Sequence, residues 1–238
     1  MAWCALLMAL AGIASAGAAG AGGLSAAGSA LRVTASSDLP RKTDNGMPEP
    51  QDVVDLIGKD LGTHWKFFCA DESVPIASVW KIIPADADVE QVLVCTGEPR
   101  GFLFTTEDYR DFELSLEWKF PTEANGNSGV LIYTQEEPRI WPTSMQIQFH
   151  QPKAGSVFPS GDAKSDNTTD VALARPVNMW NECRIVSRSG RITVEINGTM
   201  AGETTGSVPS SGRIALQSEG SEVHFRRMRL RKLESISP

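Results

Sequence analysis

Residues 111–120 read DFELSLEWKF, and this stretch decides the fold class. Apolar side chains at Phe112, Leu114, Leu116, Trp118 and Phe120 alternate with polar or charged ones. Alternation with a period of two over ten residues predicts a β-strand that buries one face in a core and exposes the other.

Similar short segments follow this strand along the chain. Residues 130–133 form a continuous apolar run, typical of a central strand covered on both sides, and residues 144–150 alternate again. Further strands are predicted at 183–186, 192–196, 214–216 and 223–230, and Ser189-Gly190 and Asn197-Gly198 provide turns between neighbouring strands. The apolar phase shifts between Phe225 and Met228, which indicates a bulge.

Few segments have a helical pattern, namely residues 51–59 and a turn at 107–109. Many short strands without intervening helices predict an all-β fold, an antiparallel β-sandwich or jelly roll of two sheets. A domain at residues 51–234 is long enough to bury one substantial core.

The first fifty residues differ in composition from the rest. Residues 1–30 carry no charged side chain, and an apolar stretch from Trp3 to Ile13 precedes Ala14-Ser15-Ala16. We interpret residues 1–16 as a signal peptide, although a positive charge after Met1 is missing. Residues 17–50 are rich in Gly, Ala, Ser and Pro and are interpreted as a disordered linker. The predicted location is therefore periplasmic or extracellular.

The chain is acidic, with 22 Lys and Arg against 29 Asp and Glu and a net charge of −7. This balance argues against a nucleic acid, or a membrane beyond the export signal, as the main partner. The basic run from Arg226 to Lys232 is interpreted as the solvent side of the last strand.

Three cysteines remain beyond the predicted signal peptide, namely Cys69, Cys95 and Cys183. Cys69–Cys95 is the pair to test for a disulfide, and the alternative is three buried thiols. No CxxC spacing occurs, so a zinc site has no support.

The polar faces of the strands carry the functional signal. Glu113 and Glu117 on one strand, and Gln146, Gln148 and His150 on another, are expected to share an outer or concave surface. Carboxylates and amides side by side suit sugar hydroxyls, which both donate and accept hydrogen bonds. The alternative for each residue is an ordinary solvated position.

Tryptophans are a second candidate for sugar contacts. Trp65, Trp80 and Trp118 are expected in the core, whereas Trp141 and Trp180 lie beside predicted loops and are candidates for stacking on a sugar ring.

A series of motifs occurs in order along residues 52–233: Leu56–Leu61 with Trp65, Gly101–Leu103, Tyr109–Leu114, Asn127–Val130, Trp141-Pro142 with Gln146–Gln148, Trp180-Asn181, Val194–Gly198, Ile214–Gly220 and Val223–Arg226. With these motifs the chain resembles the 3-keto-disaccharide hydrolase family. This resemblance implies a concanavalin A-like jelly roll, similar to laminin G and glucanase domains, commonly exported by bacteria. It also implies cleavage of glycosides whose sugar is oxidised at carbon 3.

A ketone at C3 acidifies the hydrogen on C2. One base can then form an enolate that expels the C1 substituent, and water adds to the double bond. Such a site needs a base near C2, donors or a metal at the C3 oxygen, and an acid for the leaving group.

The resemblance matches six residues to family positions: Glu117, Asn127, Gln148, Gln217, Glu219 and Arg226. His150 is added as an ionisable group on the polar face of its strand. Glu117, His150 and Glu219 are the candidate catalytic groups, with Glu117 or His150 as the base. The candidate substrate-binding residues are Asn127, Gln146, Gln148, Trp141, Trp180, Gln217 and Arg226. Gln146 departs from the family pattern, which usually carries glutamate there, and Arg227 stands where the family tends to have asparagine.

Two functions from different classes are compatible with these residues. One is an exported enzyme that cleaves 3-keto-glycosides, and the other is a non-catalytic carbohydrate-binding module in which Gln146 marks a lost carboxylate. An oligosaccharide or glycoside is the expected partner. No cofactor is predicted, and the sequence offers no support for a divalent metal.

Overall fold

The structure is a computed structural model, and it describes residues 52–86, 90–137, 139–151 and 153–234. The predicted signal peptide at 1–16 and linker at 17–50 lie outside the described residues. The proposed limits of the β domain, 51 and 234, stay a prediction.

Strands form where apolar and polar residues alternate, or where a short apolar run is bounded by turn residues. In chain order the elements are β1 (Val53–Asp55), β2 (Trp65–Cys69), α1 (Ile76–Val79), β3 (Trp80–Ile83), β4 (Val92–Cys95), β5 (Gly101–Thr105), β6 (Phe112–Lys119), β7 (Gly129–Thr134), β8 (Ser144–Gln148), β9 (Val157–Ser160), β10 (Asn181–Arg188), β11 (Arg191–Ile196), β12 (Thr199–Thr204), β13 (Arg213–Ser218) and β14 (Val223–Lys232).

These strands form two antiparallel sheets. An eight-stranded sheet has the order β12-β11-β10-β6-β14-β4-β3, with β1 paired to the second half of β14. A six-stranded sheet has the order β2-β5-β13-β7-β8-β9. The predicted all-β antiparallel sandwich is confirmed.

The main core lies between the sheets and contains the apolar residues of both inner faces. Trp118 of β6 stacks on Phe149, which follows β8, with ring centroids 3.9 Å apart and planes 5° from parallel. Trp65 and Trp80 are also buried, as the sequence predicts. Because Trp118 and Phe149 point inward, their chain neighbours point to the two outer surfaces.

The predicted turns and the bulge are present. Ser189-Gly190 and Asn197-Gly198 all have positive φ, as tight hairpin turns require. The pairing of β14 with β6 shifts register between Arg226 and Arg229. This bulge turns two successive arginines, Arg226 and Arg227, toward the same outer surface, where both contact Glu117.

The predicted helix at 51–59 is wrong. Val53–Asp55 instead pairs with Arg229–Arg231. Strand β14 continues beyond the end of β4, so its backbone hydrogen-bonding groups on that side are available to this segment. Residues 107–109 are not helical either, since Tyr109 forms an isolated bridge with Gly212. Among the helices of the described ranges, none is long and apolar enough to cross a bilayer.

Among the described residues, Cys69, Cys95 and Cys183 are free, buried thiols, so the Cys69–Cys95 pairing is not found. Cys69 ends β2 in the six-stranded sheet and Cys95 ends β4 in the other, so the segment between them does not fold back as one hairpin. Burial raises the pKa of Cys95 to about 11.

Candidate functional site

Four amide side chains lie together on the outer face of the six-stranded sheet. Met145, Ile147 and Phe149 point into the core, so alternation places Gln146 and Gln148 outside. Gln146 Nε2 donates to Gln148 Oε1, and Gln148 Nε2 donates in turn to Asn127 Oδ1 at 3.1 Å. With Gln217 of β13, these residues form what we call the amide cluster: Asn127, Gln146, Gln148 and Gln217.

Gln217 is the member with an unused acceptor. Gln217 is 7% exposed, and its Oε1 atom is buried without a hydrogen-bond partner in the described structure. Buried polar atoms normally have a hydrogen-bond partner, so this oxygen is suited to accept a hydrogen bond from a ligand hydroxyl. Gly129 makes room for it, because a Cβ there would lie 2.6 Å from Gln217 Oε1.

Two ionisable groups lie at one end of this cluster. Strands β8 and β13 are both antiparallel to β7, so they run in the same direction. His150 and Glu219 each follow a cluster glutamine by two residues, beyond the ends of β8 and β13. Two strand spacings therefore separate their backbones, roughly 10 Å. Asn127 lies between them, at the end of β7 where its neighbour Ser128 accepts from Phe149 N at 3.0 Å.

His150 lines an open pocket of about 340 Å³ beside the amide cluster, here called the His150 pocket. Its lining residues are Gln148, His150, Lys153, Ser156, Phe158, Thr168, Thr169 and Asp170. Lys153 and Asp170 form an ion pair at its rim, 2.7 Å from Nζ to Oδ1. The pocket thus joins an amide, an imidazole and hydroxyl groups on one surface.

Glu219 is half-buried, and burial raises its pKa above the ordinary value. The positive charge of Arg100 opposes this shift and the negative charge of Glu98 adds to it. A carboxyl group in this setting keeps its proton to a higher pH than an exposed one, as a general acid requires.

The expectation that Glu117 shares a surface with Gln148 and His150 is wrong. Glu117 belongs to β6 and faces outward from the eight-stranded sheet, on the opposite side of the sandwich. The alternation of a strand distinguishes inside from outside, but it does not say which of two sheets the strand joins.

Glu117 is 9% exposed and lies between two guanidinium groups. Arg226 contacts its Oε2 at 2.6 Å and Arg227 contacts its Oε1 at 2.9 Å. The Arg226 guanidinium also lies over the Trp180 ring, 4.2 Å from its centroid. Trp180 and Arg226 therefore belong to a cluster around Glu117, away from the amide cluster.

A second carboxylate on this outer surface, that of Glu113, also forms ion pairs with arginines. Glu113 contacts Arg184 at 2.6 Å and Arg231 at 2.5 Å. Burial would raise the pKa of Glu113, but the hydrogen bonds from Arg231 and Arg184 outweigh it and hold the pKa below its usual value. The cations of the run 226–232 thus lie on the solvent side of the last strand, as predicted, and Arg226, Arg227 and Arg231 contact the carboxylates of β6.

Trp141 is 42% exposed and lies in the connection from β7 to β8. This connection is at the end of the six-stranded sheet opposite His150. Trp141 is therefore not brought to the amide cluster.

Sequence reasoning missed an apolar groove on the same outer face. Phe68, Phe102 and Phe104 line it and form a small cluster with Leu131 and Ala215, separate from the main core. The signal was present in residues 101–104, GFLF, where apolar side chains on both faces of one strand leave nothing to mark a solvated side.

Within the described ranges, no three His, Cys, Asp or Glu side chains lie close enough together to hold a metal ion. The chemical groups present at the site are amides, one imidazole, hydroxyls, the Glu219 carboxyl group and the Lys153–Asp170 ion pair.

A family model described as a 3-keto-alpha-glucoside-1,2-lyase-like domain matches residues 50–231. This range contains every residue of the amide cluster, together with His150 and Glu219. No curated protein gives a significant match.

Solved structures share the fold at low identity. A protein of Parabacteroides distasonis ATCC 8503 described as a "putative glycosyl hydrolase" is 22% identical, with TM-score 0.57, covering 76% of this chain and 94% of that one. The β-glucanase of Bacillus licheniformis is 11% identical, with TM-score 0.53, covering 76% and 97%. The carbohydrate-binding module CBM66 of Bacillus subtilis is 11% identical, with TM-score 0.50, covering 71% and 95%.

The contacts of Glu117 lead to a prediction. Replacing it in Glu117→Gln leaves two arginines without their shared carboxylate, so we expect the free energy of unfolding to fall by about 1–3 kcal/mol. Urea denaturation measures this. Glu182→Gln is the matched control on the neighbouring strand, because Glu182 is exposed and pairs opposite Glu117; a change within about 0.5 kcal/mol is expected there. Equal losses in both variants would contradict the structural role of Glu117.

Proposed function

Because the chain belongs to the 3-keto-alpha-glucoside-1,2-lyase-like family, we propose that it cleaves glycosides whose sugar carries a ketone at C3, at the amide cluster of the six-stranded sheet. The observation that carries the proposal is the placement of one base and one acid, His150 and Glu219, at the same end of a row of sugar-compatible amides.

The amide cluster would hold the sugar. The unpartnered Gln217 Oε1 accepts from a sugar hydroxyl, and the free N–H groups of the cluster donate to sugar oxygens. Donors fixed by neighbouring amides are already oriented before the reaction, so they stabilise negative charge on the C3 oxygen without reorganising.

His150 would take the proton from C2. The electron pair of that C–H bond first forms the enolate of the C3 ketone. It then becomes the C1–C2 double bond of an enol ether as the bond from C1 to the leaving oxygen breaks. Imidazole is the side chain most often used as a base near neutral pH. Among the candidate bases, His150 lies in a pocket beside the amides, whereas Glu117 lies on the other sheet between two arginines.

Glu219 would give its proton to the departing C1 oxygen. Water then adds at C1 and a proton returns to C2, so the overall result is hydrolysis. Burial raises the pKa of Glu219, so its acid form persists to a higher pH than that of an exposed glutamate.

The substrate and mechanism are tested together. We expect the protein to release aglycone from a 3-keto-glucoside and not from the same glucoside unoxidised, and His150→Ala to lower kcat by at least about 100-fold. In D₂O the released sugar should carry deuterium at C2, against a control in which the product alone is incubated for the same time. Release from the unoxidised glucoside without deuterium at C2 would contradict the proposal.

A pH profile tests the role of Glu219. As a general acid it is active when protonated, so kcat should fall as pH rises through its raised pKa, and Glu219→Gln should abolish that alkaline limb. In the Glu219→Gln variant, the loss of kcat should be large for a methyl 3-keto-glucoside. It should be small for a 4-nitrophenyl 3-keto-glucoside, whose leaving group needs no proton. A uniform loss for both substrates would exclude this role.

A non-catalytic sugar-binding role is the second candidate, and Gln146 is the observation that favours it. An amide cannot take a proton at pH 7, so a catalytic carboxylate at this position would be lost. The Gln146→Glu variant decides between the two. If the wild type binds a 3-keto-glucoside without turnover and the variant cleaves it, the binding role is correct; turnover by the wild type contradicts it.

A further inference from the structure

The outer faces of the two sheets carry different kinds of side chain, although solvent would suit charged groups on both. Carboxylates and guanidinium groups in ion pairs cover the eight-stranded sheet around β6. The six-stranded sheet instead presents phenylalanines along β2 and β5. Contiguous apolar side chains on an outer face are typical of a binding surface.

The phenylalanine groove, lined by Phe68, Phe102 and Phe104, has a volume of about 260 Å³. Phe102 is 4% exposed and forms its floor, and the other two rings are partly exposed. Phe68 and Phe102 have centroids 5.2 Å apart and planes at 30°, and Phe102 and Phe104 are 5.6 Å apart at 59°. Rings tilted in this way form a notch for the edge or face of an apolar ring, and not the flat platform on which a sugar stacks.

The floor of the groove lies beside the amide cluster, while its rim at Glu136 and Glu137 lies toward the β7–β8 connection. Strand register places Phe68 opposite Phe102, Phe102 opposite Gln217, and Gly129 opposite Gln148. Phe102 and Gln148 are therefore three strand spacings apart, roughly 14 Å. That span accommodates one sugar ring over the amides and one further ring over the phenylalanines.

The rim of the groove is acidic. Glu72, Glu136 and Glu137 line it with a single cation, Arg213, and the Arg213 guanidinium already lies 2.9 Å from Asp108. Glu137 is itself paired with Arg139 at 2.7 Å. An anionic group in the groove would therefore face Glu72 and Glu136 beside an arginine already paired with Asp108, so the rim disfavours negative charge.

We propose that the phenylalanine groove binds the aglycone of the substrate, and that this aglycone is an uncharged aromatic group. This inference rests on the proposed function for the position of the sugar. The apolar ring gains by leaving water for the notch, while the acidic rim excludes aromatic carboxylates.

Benzyl and methyl 3-keto-glucosides test the proposal, because the two leaving alcohols have similar acidity and differ in the aromatic ring. We expect kcat/KM to be at least about tenfold higher for the benzyl compound, and a 4-carboxybenzyl compound to lose most of that preference. Phe104→Ala should reduce the benzyl preference at least about fivefold and leave kcat/KM for the methyl compound within about twofold. Phe68→Ala provides a second variant should Phe104→Ala fail to fold, and Met200→Ala, on the exposed edge strand β12, is the control.

Three outcomes would overturn the proposal: equal rates for benzyl and methyl compounds, equal losses for both in the phenylalanine variants, or a larger Phe104-dependent preference for a second sugar ring. Binding of the unoxidised benzyl and methyl glucosides, measured by calorimetry, separates this proposal from the proposed function. A benzyl preference that depends on Phe104 supports the groove even without turnover, and its absence contradicts the groove even with turnover.

Discussion

Trp118 lies flat against Phe149, and this stack joins the central strand of one sheet to the end of β8 in the other. Each ring points inward, so the period of two in a strand forces the flanking residues outward. Beside Trp118 this places Glu117 on the eight-stranded surface. Beside Phe149 it places Gln148 and His150 on the six-stranded surface. The same contact thus holds the sheets together and assigns the polar residues to opposite sides.

The two surfaces have different chemistry as a result. Around Glu117 every described carboxylate and guanidinium group is close to an opposite charge, which is characteristic of a surface that contributes to stability. Around Gln148 the side chains are mainly amides, an imidazole and aromatic rings, with one ion pair, Lys153–Asp170, at the rim of the pocket. Gln217 has a buried oxygen without a partner in the described structure. Unused hydrogen-bonding capacity beside an apolar groove is typical of a ligand site.

Much of the fold could be predicted from local pattern. Alternation in 111–120 identified the strand that became β6, and the shift between Phe225 and Met228 identified the bulge. Pairing between distant strands could not be predicted in this way: the local pattern of residues 51–59 favours a helix, although 53–55 form a strand by pairing with β14. For the same reason Glu117 was grouped with Gln148. The amides, His150 and Glu219 could be selected by residue type and position, whereas the phenylalanine groove depends on which strands neighbour β5.

Binding of sugar at the amide cluster of the six-stranded sheet can be measured by nuclear magnetic resonance of ¹⁵N-labelled protein. The signals to follow during titration with a glucoside are the side-chain NH₂ groups of Gln146, Gln148 and Gln217 and the indole N–H of Trp180. If sugar binds at the cluster, the three amide signals shift with one common dissociation constant while the Trp180 signal stays in place. A shift at Trp180 with unchanged amide signals would contradict it.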